Sequence, residues 1–178
     1  MATARDFAWR EPTASIPLRW GAYRSRLSGG LLMIVAGGVA IAGGSALSPF
    51  AQFLLFAGTV AHLAGWAVLP SAGWRRVLAM WPSTLAMWFL LTGPRWIAIL
   101  ALPYLGWLLV RHRVGSSYVT VLFVLAGGVI VARLFSEYPQ MLAAVGVEAG
   151  IIVASAGAAR AVQAAGSQLR RGRKPSLP

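Results

Sequence analysis

The chain has 178 residues, of which 58% are hydrophobic and 11% charged, and its mean hydropathy is +0.69, which is more apolar matter than a water-soluble domain of this size can cover. Sixteen Lys and Arg against four Asp and Glu give a net charge of +12, but the charges fall between long uncharged runs instead of over a polar surface, so no nucleic-acid partner is expected. The absence of cysteine excludes disulfide frameworks, thiolate metal sites, iron–sulfur ligation and thiol catalysis, and the class that remains is an all-α, polytopic integral membrane protein.

Residues 1–28 read as a basic cytoplasmic segment. Within it Trp20, Tyr23 and Leu27 share a helical face beside Arg19, Arg24 and Arg26, as in a segment lying on anionic lipid, and Pro12 and Pro17 confine such a helix to the stretch after residue 17. Between Arg26 and Arg75 lie 48 residues without a formal charge when His62 is neutral, whereas one crossing needs about 20. Two helices share that run, near 29–47 and 50–70, with the break at Ser48-Pro49. Gly44-Ser45-Ala46 resembles a signal-peptide cleavage site, but a 28-residue leader ahead of the apolar stretch argues against one.

Further spans are expected near 77–93, 95–110, 115–134 and 139–160, giving six crossings in three helical hairpins within a transmembrane domain of residues 29–160. The fourth is thin, since Trp96 to Val110 makes about 22 Å of α-helix against a hydrocarbon core of about 30 Å. A re-entrant hairpin over 77–110 would bury Arg95 at its tip, so a full crossing with snorkelling arginines is preferred. Residues 161–178 read as a basic cytoplasmic tail without fixed structure.

With six crossings, fourteen of the sixteen basic residues fall on one side and only Arg95 and Arg133 on the other, which places both termini in the cytoplasm of a cell with a plasma or inner membrane location. Pro49, Pro94 and Pro139 recur every 45 residues and open the even-numbered helices. Ala36, Gly37, Gly38, Val39 and Ala42 also match Ala126, Gly127, Gly128, Val129 and Ala132 at an offset of 90, a weak mark of a parallel repeat.

Helices in lipid approach closely through small side chains. Gly146, Gly150, Ala154 and Ala158 form one ridge on the sixth span and Ala57, Ala61 and Gly65 another on the second, with Gly37 and Gly38 serving the first, and packing inside the molecule is favoured over an oligomer contact. Trp74, Trp81 and Trp88 make a bulky stripe on the third span, where Pro82 is expected to kink the helix and free a carbonyl one turn earlier for a hydrogen bond from a neighbouring helix.

An ionisable residue within a span is a functional candidate by default. Glu148 and His62 are the two here, about 13 Å and 20 Å in from the outer prolines, close enough in level for a carboxylate–imidazole proton relay. Arg133 and Glu137 read first as an ordinary exposed pair if the fifth helix persists that far, and a sharper reading adds Arg95 and His62 to them as an outward polar vestibule leading to Glu148. Four scattered acids hold no magnesium, two histidines are too few for zinc or paired haem ligation, and Ser155 has no histidine at its level, so no metal, cofactor or enzymatic activity is expected. The expected partners are the bilayer, anionic lipids at its cytoplasmic face, and a membrane protein partner or further copies of the chain. The expected role is that of a helix-packing interaction subunit, with a small proton-linked transporter or channel as the alternative.

Overall fold

The computed structural model describes residue 13, residues 21–43 and residues 49–172, with residues 43 and 167–172 described by their backbone alone. Trp20 of the expected interfacial face, the Gly44-Ser45-Ala46 turn and the basic residues Arg173 and Lys174 lie outside the described residues, whereas Tyr23 and Leu27 of that face turn into the bundle instead of onto lipid, Tyr23 accepting a hydrogen bond from Arg111 and Leu27 packing against the cluster of Trp66 and Leu69. Among those described, every regular element is helical. The α-helices are α1 (Tyr23–Gly43), α2 (Pro49–Val68), α3 (Gly73–Phe89), α4 (Ala101–Val110), α5 (Val121–Leu134) and α6 (Met141–Gly172), and shorter 3-10 segments cover Leu90–Thr92, Pro94–Leu100, Gly115–Thr120 and Tyr138–Gln140. Among the described residues, four stretches are long and apolar enough to cross a membrane: Tyr23–Ala42, Pro49–Val68, Gly115–Leu134 and Tyr138–Gly166.

Basic residues end the apolar runs without ending the helices. α1 begins at Tyr23 and α3 at Gly73, both earlier than the expected residues 29 and 77, because arginine is a good helix former whose charge can reach past the end of an apolar stretch. α6 likewise continues to Gly172, so the stretch from residue 161, expected to lack fixed structure, is helical over 161–172. Its alanine-rich sequence carries little side-chain entropy cost, and Gln163, buried in the bundle, accepts a 2.7 Å hydrogen bond from Arg113 Nη1.

The short fourth element is lengthened by its winding. Pro94–Leu100 is 3-10 helix and Ala101–Val110 is α-helix, so at rises of about 2.0 and 1.5 Å per residue the whole reaches about 29 Å; about 3–4 Å of the excess over the expected 22 Å comes from the winding and the rest from Pro94 and Arg95, which belong to the element. The turn into it uses Gly93 at φ 114°, a conformation that a side chain would strain, and Pro94 then opens the new helix.

Sequential helices pack on one another, α1 on α2, α3 on α4 and α5 on α6, and α5 also rests on the Pro94–Leu100 segment. The α1–α2 contact is a glycine seam with a spacing of seven. A Cβ at Gly37 would stand 2.5 Å from His62 N and 2.6 Å from Gly58 O, and one at Gly65 would stand 2.7 Å from Gly30 O. Backbone therefore lies on backbone over two helical turns. Gly65 belongs to this seam as expected from its small size, but its partner position on α2 is Gly58, while Ala57 and Ala61 are only half-buried.

Arginines collect at the opposite end from Pro49, Pro94 and Pro139, where they donate to the unpaired carbonyls that finish the helices. Arg26 Nε reaches Val68 O at 2.9 Å, Arg76 Nη1 reaches Ala67 O at 2.5 Å, and Arg75 Nη1 reaches Leu109 O at 2.9 Å. α4 ends in a reverse turn closed by Arg113 N–H on Leu108 O and His112 N–H on Leu109 O, with His112 at φ 53°, a position more often held by glycine.

Candidate functional site

His62 is fully buried where α1, α2 and α3 meet. Its Nδ1 lies 2.9 Å from Ile34 O, and since a carbonyl only accepts, Nδ1 carries the proton and Nε2 is the acceptor. Ser83 Oγ stands 2.8 Å from Nε2 and donates to it, while Trp66 Nε1–H lies 3.0 Å from Ser83 Oγ and 3.1 Å from His62 Nε2. One imidazole thus ties three helices together. Sequence reading missed Ser83 and Trp66, although Trp66 is one helical turn from His62 and Ser83 directly follows Pro82, which sits inside an α3 that runs unbroken from Gly73 to Phe89.

Glu148 is also fully buried, on the face of α6 that also carries Ala144, Ser155 and Ala159. A Cβ at Gly127 of α5 would lie 3.6 Å from its Oε2, and neither carboxyl oxygen has a hydrogen-bond partner. At the offset of 90 Glu148 corresponds to Gly58, so it occupies in the α5–α6 pair the level where the α1–α2 pair closes backbone on backbone.

The expected grouping of these residues does not form. His62 and Glu148 share no hydrogen bond, because both imidazole nitrogens are engaged within α1–α3 while the carboxyl faces α5. Arg95, Arg133 and Glu137 are exposed, and Arg133 and Glu137 make no ion pair. α5 stops at Leu134 as Phe135 turns to ψ 79°, which takes Glu137 off the helical face, and its carboxylate instead caps the Tyr138–Gln140 turn in a reciprocal arrangement with Gln140. No group of three or more His, Asp or Glu side chains suited to a metal ion occurs among the described residues.

The small residues are divided between uses. Gly37 and Gly38 are buried, and Gly128 allows α5 to close on the backbone of Ala98. The α6 ridge is a correction to the expected packing within the molecule: Gly146, Gly150, Ala154 and Ala158 are exposed, and a Cβ at Gly146 or Gly150 would meet nothing within 4 Å. The cause is helical phase. Glu148 and Ser155 take the inner face of α6, and the ridge lies on the other side. The Trp74, Trp81 and Trp88 stripe is exposed as well.

Between α1 and α6 runs a cleft of about 730 Å³. Val35 and Val39 line it from α1 and Ala149 and Val153 from α6, while Trp107 and Tyr104 of α4 form part of its floor and His62 and Trp66 contribute to one wall. The Tyr104 hydroxyl is turned away, bonded at 2.6 Å to Thr120 Oγ1, which itself donates to Ser117 O. No protein-family model matches the chain, and no curated protein and no solved structure shows a significant similarity to it.

Proposed function

We propose that the chain is an interaction subunit of the plasma or inner membrane, crossing six times with both termini in the cytoplasm and assembling with a membrane protein partner or with further copies of itself. The separation of fourteen basic residues from two supports that orientation, and the stretched fourth element, at about 29 Å, supports a crossing where the residue count alone is short. The observation that carries the reading is the exposed ridge of Gly146, Gly150, Ala154 and Ala158. Lipid chains gain little from contact with a smooth strip of small residues, whereas another helix gains close van der Waals approach along its whole length. Gly150→Leu is expected to convert the assembly seen by native mass spectrometry of gently extracted membranes into a monomer while leaving helicity intact, since the added side chain has open space. An assembly of unchanged mass in that variant would remove the ridge as the contact.

A second reading rests on Glu148, whose carboxyl is buried with no hydrogen-bond partner in an apolar surrounding where a fixed charge would be costly. In that reading Glu148 alone exchanges a proton as part of a transport cycle, and His62 serves as structure. Proteoliposomes loaded with a pH-sensitive dye are expected to lose proton movement in Glu148→Gln with reconstitution unchanged, and equal movement in both proteins would sink the idea.

A further inference from the structure

The volume of the α1–α6 cleft, about 730 Å³, lies in the range of sites that hold small ligands, about 300–1,000 Å³. Along α1 its wall runs from Leu31 to Ala42, about 16 Å of helix axis, so the space is elongated in the direction of the helices. Apart from the Trp107 indole and the Tyr138 hydroxyl, the polar side-chain atoms of its walls are already committed: both His62 nitrogens are hydrogen-bonded, Trp66 donates to Ser83 and His62, and Tyr104 bonds to Thr120. An occupant is therefore apolar along its length.

One mouth is different in kind. The guanidinium of Arg111 stands 5.3 Å over the ring of Trp107, which lines the cleft, and it donates to Tyr23 Oη and Thr13 Oγ1. Arg26, Arg75, Arg76 and Arg113 cluster at the same end, each donating to a helix-end carbonyl or to Gln163. The two acids among the described residues are remote, Glu137 at the proline end and Glu148 between α5 and α6. Arg26, Arg111 and Arg113 are buried, so they act on the cleft through their charge and not by direct contact, and an elongated apolar slot that ends near such a cluster is complementary to an anion carrying a long hydrocarbon chain.

We infer that the α1–α6 cleft binds one acyl chain of an anionic phospholipid from the leaflet on the arginine side, with its phosphate drawn to that end by the charge of the arginine cluster. This rests on the reading of the chain as a membrane protein and is independent of whether it assembles through the α6 ridge.

The test uses the full chain in nanodiscs containing phosphatidylglycerol with a photoreactive group on its acyl chain, followed by mass-spectrometric mapping of the adducts. Adducts are expected to concentrate on residues 31–42 and 142–156. Phosphatidylglycerol is expected to exceed phosphatidylcholine about fivefold, the effect of one basic residue near an anionic headgroup. Ala149→Trp, which fills the cleft from a wall position, is expected to lower cleft labelling about tenfold, the equivalent of about 1.4 kcal/mol. Adducts spread as densely over the outward side chains Phe50, Phe53, Phe56, Leu122 and Phe123 would overturn the proposal. Equal labelling by the two lipids would overturn the assignment of the headgroup. If Ala149→Trp loses helicity, the wild-type map and lipid preference decide alone. The mass of the same particles reads the assembly separately, so a monomer with a labelled cleft would reject the subunit reading and keep this one.

Discussion

His62 illustrates what a single ionisable side chain does when both of its nitrogens are satisfied by neighbouring helices. Its position in an apolar run was plain from the sequence, and its partners were not, because Ile34 contributes a backbone carbonyl and Ser83 comes from a helix 21 residues further along. Ser83→Ala removes one donor to Nε2 while Trp66 remains, and is expected to cost about 1 kcal/mol in denaturation by ionic detergent. A variant as stable as the parent would show that the bond adds nothing to the bundle. His112 carries a different test. Burial first, and the nearby Arg75 charge second, hold its imidazole below the usual value of 6.5. The folded state thus binds fewer protons there than the unfolded chain, so the stability contributed by neutral His112 is complete above about pH 6.5 and is lost as pH falls below it. Melting temperatures of the parent and His112→Asn are expected to differ in their slopes between neutral and mildly acidic pH, the parent falling more steeply. Parallel slopes would place the titrating group elsewhere.

Elements were legible to the extent that apolar length defines them. The proline breaks at Pro49 and Pro94 each coincide with a new helix, and Pro139 lies in the turn that opens α6. Helix starts were read too late at α1 and α3 because a basic residue limits the membrane-buried part of a helix and not its hydrogen bonding. The small-residue pattern was harder. A spacing of four on α6 was more regular than the spacing of seven that joins α1 to α2, yet the regular ridge points outward and the glycine seam holds the contact. Regularity along one helix says nothing about which neighbour arrives, and Glu148 on the opposite side of α6 competes for the inner face. Gly58→Ala places a methyl group 2.8 Å from Gly37 O and 2.9 Å from Ile41 N, both backbone atoms, and is expected to destabilise the fold by about 1–3 kcal/mol. Gly150→Ala on the open ridge should be neutral in the same assay. Similar losses in both variants would contradict the seam.

For the whole molecule, the separation of charge along the chain reappears in space as an arginine end and a proline end, and the arginines there close helix termini as well as marking a side. The cleft was invisible in the sequence because it is made by what α1 and α6 leave between them, a property of the bundle and not of either helix. The stretched segment Pro94–Leu100 has a consequence of its own. Rewinding its seven residues from 3-10 to α geometry draws the element in by about 3–4 Å, comparable to the difference in thickness between cellular membranes. In the six-crossing reading, a helix with such a reserve would match a thinner bilayer by changing pitch instead of leaning, while Ala98 of the segment is held against Gly128 of α5. Amide hydrogen exchange at residues 94–100 is expected to change between short-chain and long-chain lipid bilayers while that of α2 stays constant. Exchange insensitive to chain length would leave the winding as a fixed feature. In the six-crossing reading, one helix of the bundle would serve as a gauge of how thick its surroundings are.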